Sequence, residues 1–106
     1  MIARTWHGRV PASKSDSYYR YLLRTGVPDL QATPGNRGVF VFRRLEGEEA
    51  HFLLTSLWES REAIRAFAGD EIELARYYPE DVDYLLEMEP RVTHYEVLMA
   101  PARERS

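Results

Sequence analysis

Two neighbouring runs of this sequence are apolar on both of their faces, which leaves few ways to fold. Residues 39–45 (VFVFRRL) and 51–58 (HFLLTSLW) are dense in β-branched and aromatic side chains, and Glu46-Gly47-Glu48 between them has the composition of a hairpin tip. Phe40, Phe42, Phe52, Leu54 and Trp58 share one parity; Val39, Val41, Leu53 and Leu57 share the other. Side chains alternate between the faces of a strand, so this sheet needs a cover on each side. A single domain of 106 residues buries about 60–70% of its unfolded surface and has no residues to spare for a second core. At ~25 cal/mol per Å² of apolar surface, several hundred Å² left bare would forfeit on the order of 10 kcal/mol. The pattern therefore predicts a homodimer whose two sheets close face to face.

The rest of the chain supplies the other elements in order. Residues 2–10 alternate imperfectly, with Ile2, Trp6 and Val10 on one parity and Ala3, Thr5 and His7 on the other, and read as a strand using both faces. Ser13 and Asp16 resemble a capping box ahead of a helix bearing Tyr18, Tyr21, Leu22 and Thr25, with Gly26 as its C-cap. Residues 27–38, holding Pro28, Pro34, Gly35, Asn36 and Gly38, favour a loop. After Trp58, Ser60 offers an N-cap for a short helix with Ala63, Ile64 and Phe67 on one face and Gly69 as its stop. Asp70 and Glu71 would begin a second helix carrying Ile72, Leu74, Ala75 and Tyr78, ended by Pro79. An acidic irregular stretch (80–89) anchored by Tyr84, Leu85 and Leu86 leads to a last strand over 91–99. Strand, helix, strand, strand, helices, strand is the split βαβ order of a ferredoxin-like α+β sandwich with its first and third strands central. One domain over residues 1–100 is expected, with a flexible tail over 101–106. The two closely spaced helices would leave a crevice above the sheet where a flat small molecule can lie.

Charge and composition remove several function classes. Seventeen acidic residues against fourteen basic give a net charge of −3 with no basic block, so no nucleic-acid partner is expected. Without cysteine there is no thiolate nucleophile, thiolate metal site or disulfide. Arg4, His7 and Arg9 interrupt the first apolar run, and no run reaches the ~20 apolar residues of a membrane span. No membrane partner and a cytoplasmic location are the expectation.

The chemistry must then use oxygen, imidazole or aromatic groups. Trp6 and Phe67 either stack on a planar ligand or pack the core, and a buried indole N–H needs an acceptor in either case. Tyr77 and Tyr78 before Pro79, joined by Tyr18, Tyr21 and Tyr84, either form a phenol-lined pocket suited to polycyclic phenols and quinones or serve as half-buried packing. His94 and Glu96 project from the same side of the last strand, where a carboxylate would raise the imidazole pKa and hold a general base, or simply pair with it across a dimer barrel. His7 and His51 fall on neighbouring strands, but no close two-histidine spacing occurs on one element, and no metal is expected. Arg37, Arg43 and Arg44 either orient an acidic ligand or are solvated, and Glu46, Glu48 and Glu49 form a solvated hairpin tip.

With these residues placed, the segments TSLWESREAIRAF (55–67), ARYYP (75–79) and THYEV (93–97) resemble the antibiotic biosynthesis monooxygenase family of dimeric α+β barrels, relatives of haem-degrading monooxygenases. The resemblance implies two paired sheets forming a central barrel, with a ligand cleft in each subunit between sheet and helices. Haem-degrading members carry an Asn on the first strand, a Trp in the helix after Trp-Glu-Ser and a haem-ligating His one helix further on. This chain offers Trp6 or His7, Phe67, and Arg76 or Tyr77 at those places, so none of the three is retained; a Tyr77 phenolate remains a conceivable iron ligand. The expected function is a cofactor-independent monooxygenase of small aromatic or polyketide-like compounds, with His94, His7 or Tyr77 as catalytic groups and Trp6, Phe67, Tyr78 and Tyr18 binding the ligand. The alternative is a protein of the same fold that binds a small apolar ligand, or haem, without turning it over.

Overall fold

The computed structural model describes residues 1–101, so the expected tail falls almost wholly outside the described residues. Four strands, β1 (Ile2–Pro11), β2 (Asn36–Glu46), β3 (Glu49–Trp58) and β4 (Thr93–Glu96), form one antiparallel sheet in the order β2-β3-β1-β4. That is the ferredoxin-like α+β arrangement, with β1 and β3 in the centre. Helices α1 (Ser15–Arg24), α2 (Gly26–Ala32) and α3 (Arg61–Ala68) lie on one face. No helix among the described residues is long and apolar enough to cross a membrane.

Parity in the register decides what each face holds. Trp6 pairs with Leu54 and Leu54 with Val41, so these three point together toward the helices; His7, Leu53 and Phe42 point together to the other face. Facing the helices are Val10, Ala50, Phe52 and Trp58, all buried, while Phe40 and Phe42 stand 48% and 52% exposed on the open face. Their rings stack at 5.7 Å between centroids, 10° from parallel. The two phenylalanines of β2 thus lie opposite Phe52 and Trp58 although all four have even numbers, because the antiparallel register pairs odd with even positions across the hairpin.

Local chemistry corrects three of the expected boundaries. A 3-10 turn, Ala12–Lys14, precedes α1, whose N-cap is Lys14 without a side-chain bond, so Ser13 caps nothing; Asp16 instead pairs with Arg43 at 2.9 Å. Residues 26–32 are helical rather than loop: Gly26 opens α2 instead of closing α1, and Pro28 sits in the first turn, where no N–H is required. Burial of Val27 and Leu30 holds this short helix down. Residues 70–78 do not form a second helix. Leu74 bridges Arg91, Ala75 N–H donates to Pro90 O at 2.9 Å and Val92 N–H to Glu73 O at 2.8 Å, so this segment pairs in extended form. Eight or nine residues make a marginal helix, and Pro79 forces Tyr78 into extended backbone (φ −107°, ψ 157°). Helix α3 is capped as its sequence predicts, Ser60 Oγ accepting from Ala63 N–H at 3.2 Å and Gly69 ending it at φ 86°.

The interior forms two aromatic clusters. One gathers Trp6, Tyr18, Tyr21, Leu22 and Phe52; the other gathers Leu30, Trp58, Ile64, Phe67 and Ile72. Leu54 and Val39 touch both. Above the first, Gly8 makes room for the Trp6 indole: a Cβ there would fall 2.2 Å from Cη2 and 2.5 Å from Cζ2 of Trp6. Replacing Gly8→Ala is expected to displace that ring, lowering unfolding free energy by about 1–3 kcal/mol in denaturant titrations and shifting tryptophan emission.

Candidate functional site

Between the two clusters lies a narrow cleft of about 480 Å³ counting its solvent-open mouth, of which only about 30 Å³ is free for a water-sized body, so a larger ligand enters by parting its walls. Arg4, Trp6, Leu54 and Ser56 form its floor on β1 and β3; Tyr18, Leu22 and Leu30 from α1 and α2, with Phe67 from α3, form its walls. Arg76, Tyr77, Tyr78 and Asp81 roof it. The structure therefore places Trp6, Phe67, Tyr77, Tyr78 and Tyr18 around one space. Two segments bring them there: alternation on β1 turns Arg4 and Trp6 inward, and the extended run ending at Pro79 carries the paired tyrosines over them.

Each phenol in this space is already engaged. Tyr77 OH accepts from Trp6 Nε1–H at 3.1 Å and donates to the Glu89 carbonyl. Tyr78 OH donates to Asp29 Oδ2 at 2.5 Å, and buried Tyr18 donates to Asp81 Oδ1 at 3.0 Å. Burial raises the pKa of all three, with Asp81 and Asp29 adding to the rise for Tyr18 and Tyr78 respectively. They are neutral donors at pH 7 rather than phenolates.

Asp81 is the residue that sequence reasoning missed. It sits in a 3-10 turn, Pro79–Asp83, where its Oδ2 accepts from Tyr78 N–H at 2.7 Å while Oδ1 takes the Tyr18 hydroxyl. Burial raises its pKa above the usual carboxylate range, and the two hydrogen bonds only partly offset this. The available signal was its place in the first turn after Pro79, a position that attracts acidic residues for capping.

Arg4 was also missed, and Arg76 was named only as one of two residues at the place of the haem-ligating His. Arg4 is 5% exposed, donates from Nη2 to Leu74 O at 3.0 Å and lies 5.5 Å from the centre of the Phe67 ring. Desolvation lowers its pKa to about 10. Arg76 lies 4.8 Å from the same ring centre, donates to Phe67 O at 3.1 Å and approaches Asp29 at 3.7 Å. The signal for Arg4 was its parity: it is the one charge in the inward set Ile2, Arg4, Trp6, Gly8, Val10.

The histidines lie elsewhere. His7 points to the open face, because it follows inward-pointing Trp6; its Nδ1 bonds Glu89 Oε2 at 2.6 Å and its Nε2 bonds His51 Nδ1 at 2.9 Å. His94 is opposite Arg4 in the register and faces the helix side, but it does not line the cleft. Its Nε2 is buried with no partner among the described residues, and no bond to Glu96 forms. Burial, then Arg4 and Arg61, lower its pKa, the reverse of the rise expected from a carboxylate neighbour. Among the described residues no group of three or more His, Cys, Asp or Glu is arranged to hold a metal ion.

Comparison with known proteins agrees with this geometry at the level of fold and family. Over 99% of this chain and 98% of the other, the structure superposes on a Bacillus cereus protein named after the antibiotic biosynthesis monooxygenases, with TM-score 0.65 and 18% identity. The haem-degrader MhuD from Mycobacterium tuberculosis, with two haems in its active site, matches over 96% of this chain and 100% of its own, with TM-score 0.64 and 20% identity. A Nitrosomonas europaea protein of unknown function matches over 99% and 98%, with TM-score 0.63 and 16% identity. No curated protein sequence matches the chain. The sequence profile described as Antibiotic biosynthesis monooxygenase covers residues 9–72, more than half of the length. The chain belongs to the antibiotic biosynthesis monooxygenase family.

Proposed function

We propose that the cleft binds a flat, phenolic or quinone-like aromatic molecule and that the protein oxidises it with dioxygen without a cofactor. The observation that carries this reading is the meeting, in one cleft, of aromatic walls with a buried carboxylate, Asp81, whose pKa lies above the ordinary range. In an anthrone-type substrate the reacting carbon is a methylene flanked by aromatic rings. The Asp81 carboxylate takes one methylene proton, and the resulting enolate passes an electron to dioxygen. Recombination forms a C–O bond, and the returned proton gives a hydroperoxide. Loss of the second C–H proton with cleavage of the O–O bond leaves a carbonyl and one water. The substrate supplies all four electrons, so the protein need only bind, exclude water and move protons.

Haem does not fit the donor set. No histidine lines the cleft, and the hydroxyls of Tyr18, Tyr77 and Tyr78 are each bonded to another protein group. A second reading, binding without turnover, is favoured by that same engagement of the phenols. Dioxygen uptake separates the two.

We also infer that the chain pairs with a second copy through the open sheet face, where Phe40 and Phe42 on β2 and Leu53 on β3 are exposed together and Tyr95 is exposed on β4 at the far edge. The His7–His51–Glu89 cluster would then lie within the joint between subunits.

With dithranol or a related anthrone as substrate, oxygen consumption is expected to fall by roughly 10²–10⁴-fold in Asp81→Asn. Only ionised Asp81 accepts a proton, so kcat rises with pH through a pKa above the ordinary carboxylate range. A flat pH profile, or full activity in the Asn variant, would overturn the role of Asp81; no uptake above buffer by the wild type would leave the binding reading. Sedimentation at micromolar concentration is expected to show a dimer, and Phe42→Glu a monomer; a monomeric wild type ends the pairing proposal.

A further inference from the structure

A guanidinium taken out of water needs a counter-charge or a full set of acceptors, because an unpaired buried charge costs several kcal/mol. Arg4 has neither. It is 5% exposed, and among the described residues its one hydrogen bond is from Nη2 to the Leu74 carbonyl and its buried Nε has no partner. Among the described residues no carboxylate lies within ion-pairing distance of it. Its neighbours across the sheet are Ser56 on β3 and His94 on β4, and Ser56 Oγ already accepts from Trp58 Nε1–H at 2.8 Å. Arg76, the second cation of the cleft, lies near the same Phe67 ring. Asp81, the carboxylate that does line the cleft, accepts from Tyr18 and the Tyr78 backbone and forms no ion pair with Arg4.

We propose that Arg4 is an anion subsite and that the ligand of this cleft is an aromatic acid, its rings among Trp6, Phe67 and Tyr78 and its carboxylate against the Arg4 guanidinium. A planar carboxylate matches the fork of N–H donors in a guanidinium, which a neutral hydroxyl or carbonyl cannot replace with equal strength. Arg4 and Arg76 both lie over the Phe67 ring, 5.5 and 4.8 Å from its centre, so an acid that reaches Arg4 lies beside Phe67 while its rings rest toward Trp6 and Tyr78. The subsite would also fix which edge of the ligand faces Asp81. This inference rests on the proposal that the cleft binds a flat aromatic molecule, and it adds the charge that the ligand must carry.

The test uses a matched pair of probes on the full-length protein: anthraquinone-2-carboxylate and uncharged 2-(hydroxymethyl)anthraquinone, titrated at pH 7 by quenching of tryptophan fluorescence and by calorimetry. The wild type is expected to bind the acid roughly 10- to 100-fold more tightly than the alcohol, the range of a charged hydrogen-bonded pair. Arg4→Met, which keeps the length of the side chain, and Arg4→Gln are each expected to abolish that preference while still binding the alcohol. Equal affinity of the wild type for both probes overturns the subsite and leaves the aromatic cleft standing. Binding of neither probe overturns both proposals. A preference for the acid that survives in both Arg4 variants places the anion elsewhere and overturns the assignment. The wild-type comparison needs no variant, so a substitution that fails to fold does not protect the proposal.

Discussion

One buried carboxylate holds the cleft together. Asp81 ties the hydroxyl of Tyr18, on α1, to the backbone of Tyr78, where the extended segment turns at Pro79. Through those two bonds the layer packed on β1 is joined to a segment that has no helix of its own to stiffen it. Its stability as a roof comes from backbone pairing at Leu74, Ala75 and Val92 and from this anchor. The same burial that makes Asp81 a structural clamp removes water from its oxygens and lifts its pKa. Anchor and candidate base are consequences of one placement.

The sheet and its order were legible because both rest on short-range rules. Alternation within each of β2 and β3, the Glu46-Gly47-Glu48 tip, the Ser60 cap and the Gly69 stop are written in neighbouring residues and found there, whereas which face of β2 matches which face of β3 depends on the hairpin register, which puts Phe40 and Phe42 opposite Phe52 and Trp58. Residues 70–78 failed for the opposite reason. Their apolar spacing suits a helix, but their backbone partners are residues 90–92, which no local pattern announces. Residues 26–32 failed by a different route: Pro28 was read as a breaker, though a proline in a first turn forfeits no helical bond.

The same division explains the site. Trp6, Phe67 and the tyrosines were singled out for being aromatic, and the structure gathers them around one space. Their polar partners were invisible. Tyr77 meets Trp6 at a sequence separation of 71, and Tyr18 meets Asp81 at 63. The histidines drew attention by type alone, and type does not say which face of a strand a side chain takes. His94 shows how far this can mislead: burial, Arg4 and Arg61 outweigh Glu73, and the sign of its shift is opposite to the one a neighbouring Glu96 implies.

The cleft and the open face are nevertheless not independent, because both bond to Glu89. Its carbonyl accepts from Tyr77, whose oxygen also receives the indole N–H of Trp6, and its carboxylate bonds His7 Nδ1, while His7 Nε2 bonds His51. Trp6 and His7 are consecutive on β1 and point to opposite faces, so two adjacent residues of one strand reach the same residue of another segment from either side of the sheet. The edge of β1 allows this: β4 pairs with it only from Ile2 to Thr5, and beyond Thr5 the edge is met by the chain approaching Thr93, with Leu86 N–H bonded to Arg9 O at 2.9 Å. A partner packed on the open face would therefore bear on the residue that orients Tyr77 above Trp6. In a chain this small, the face proposed to pair with a second copy and the cleft proposed to bind a ligand are separated by the thickness of one strand.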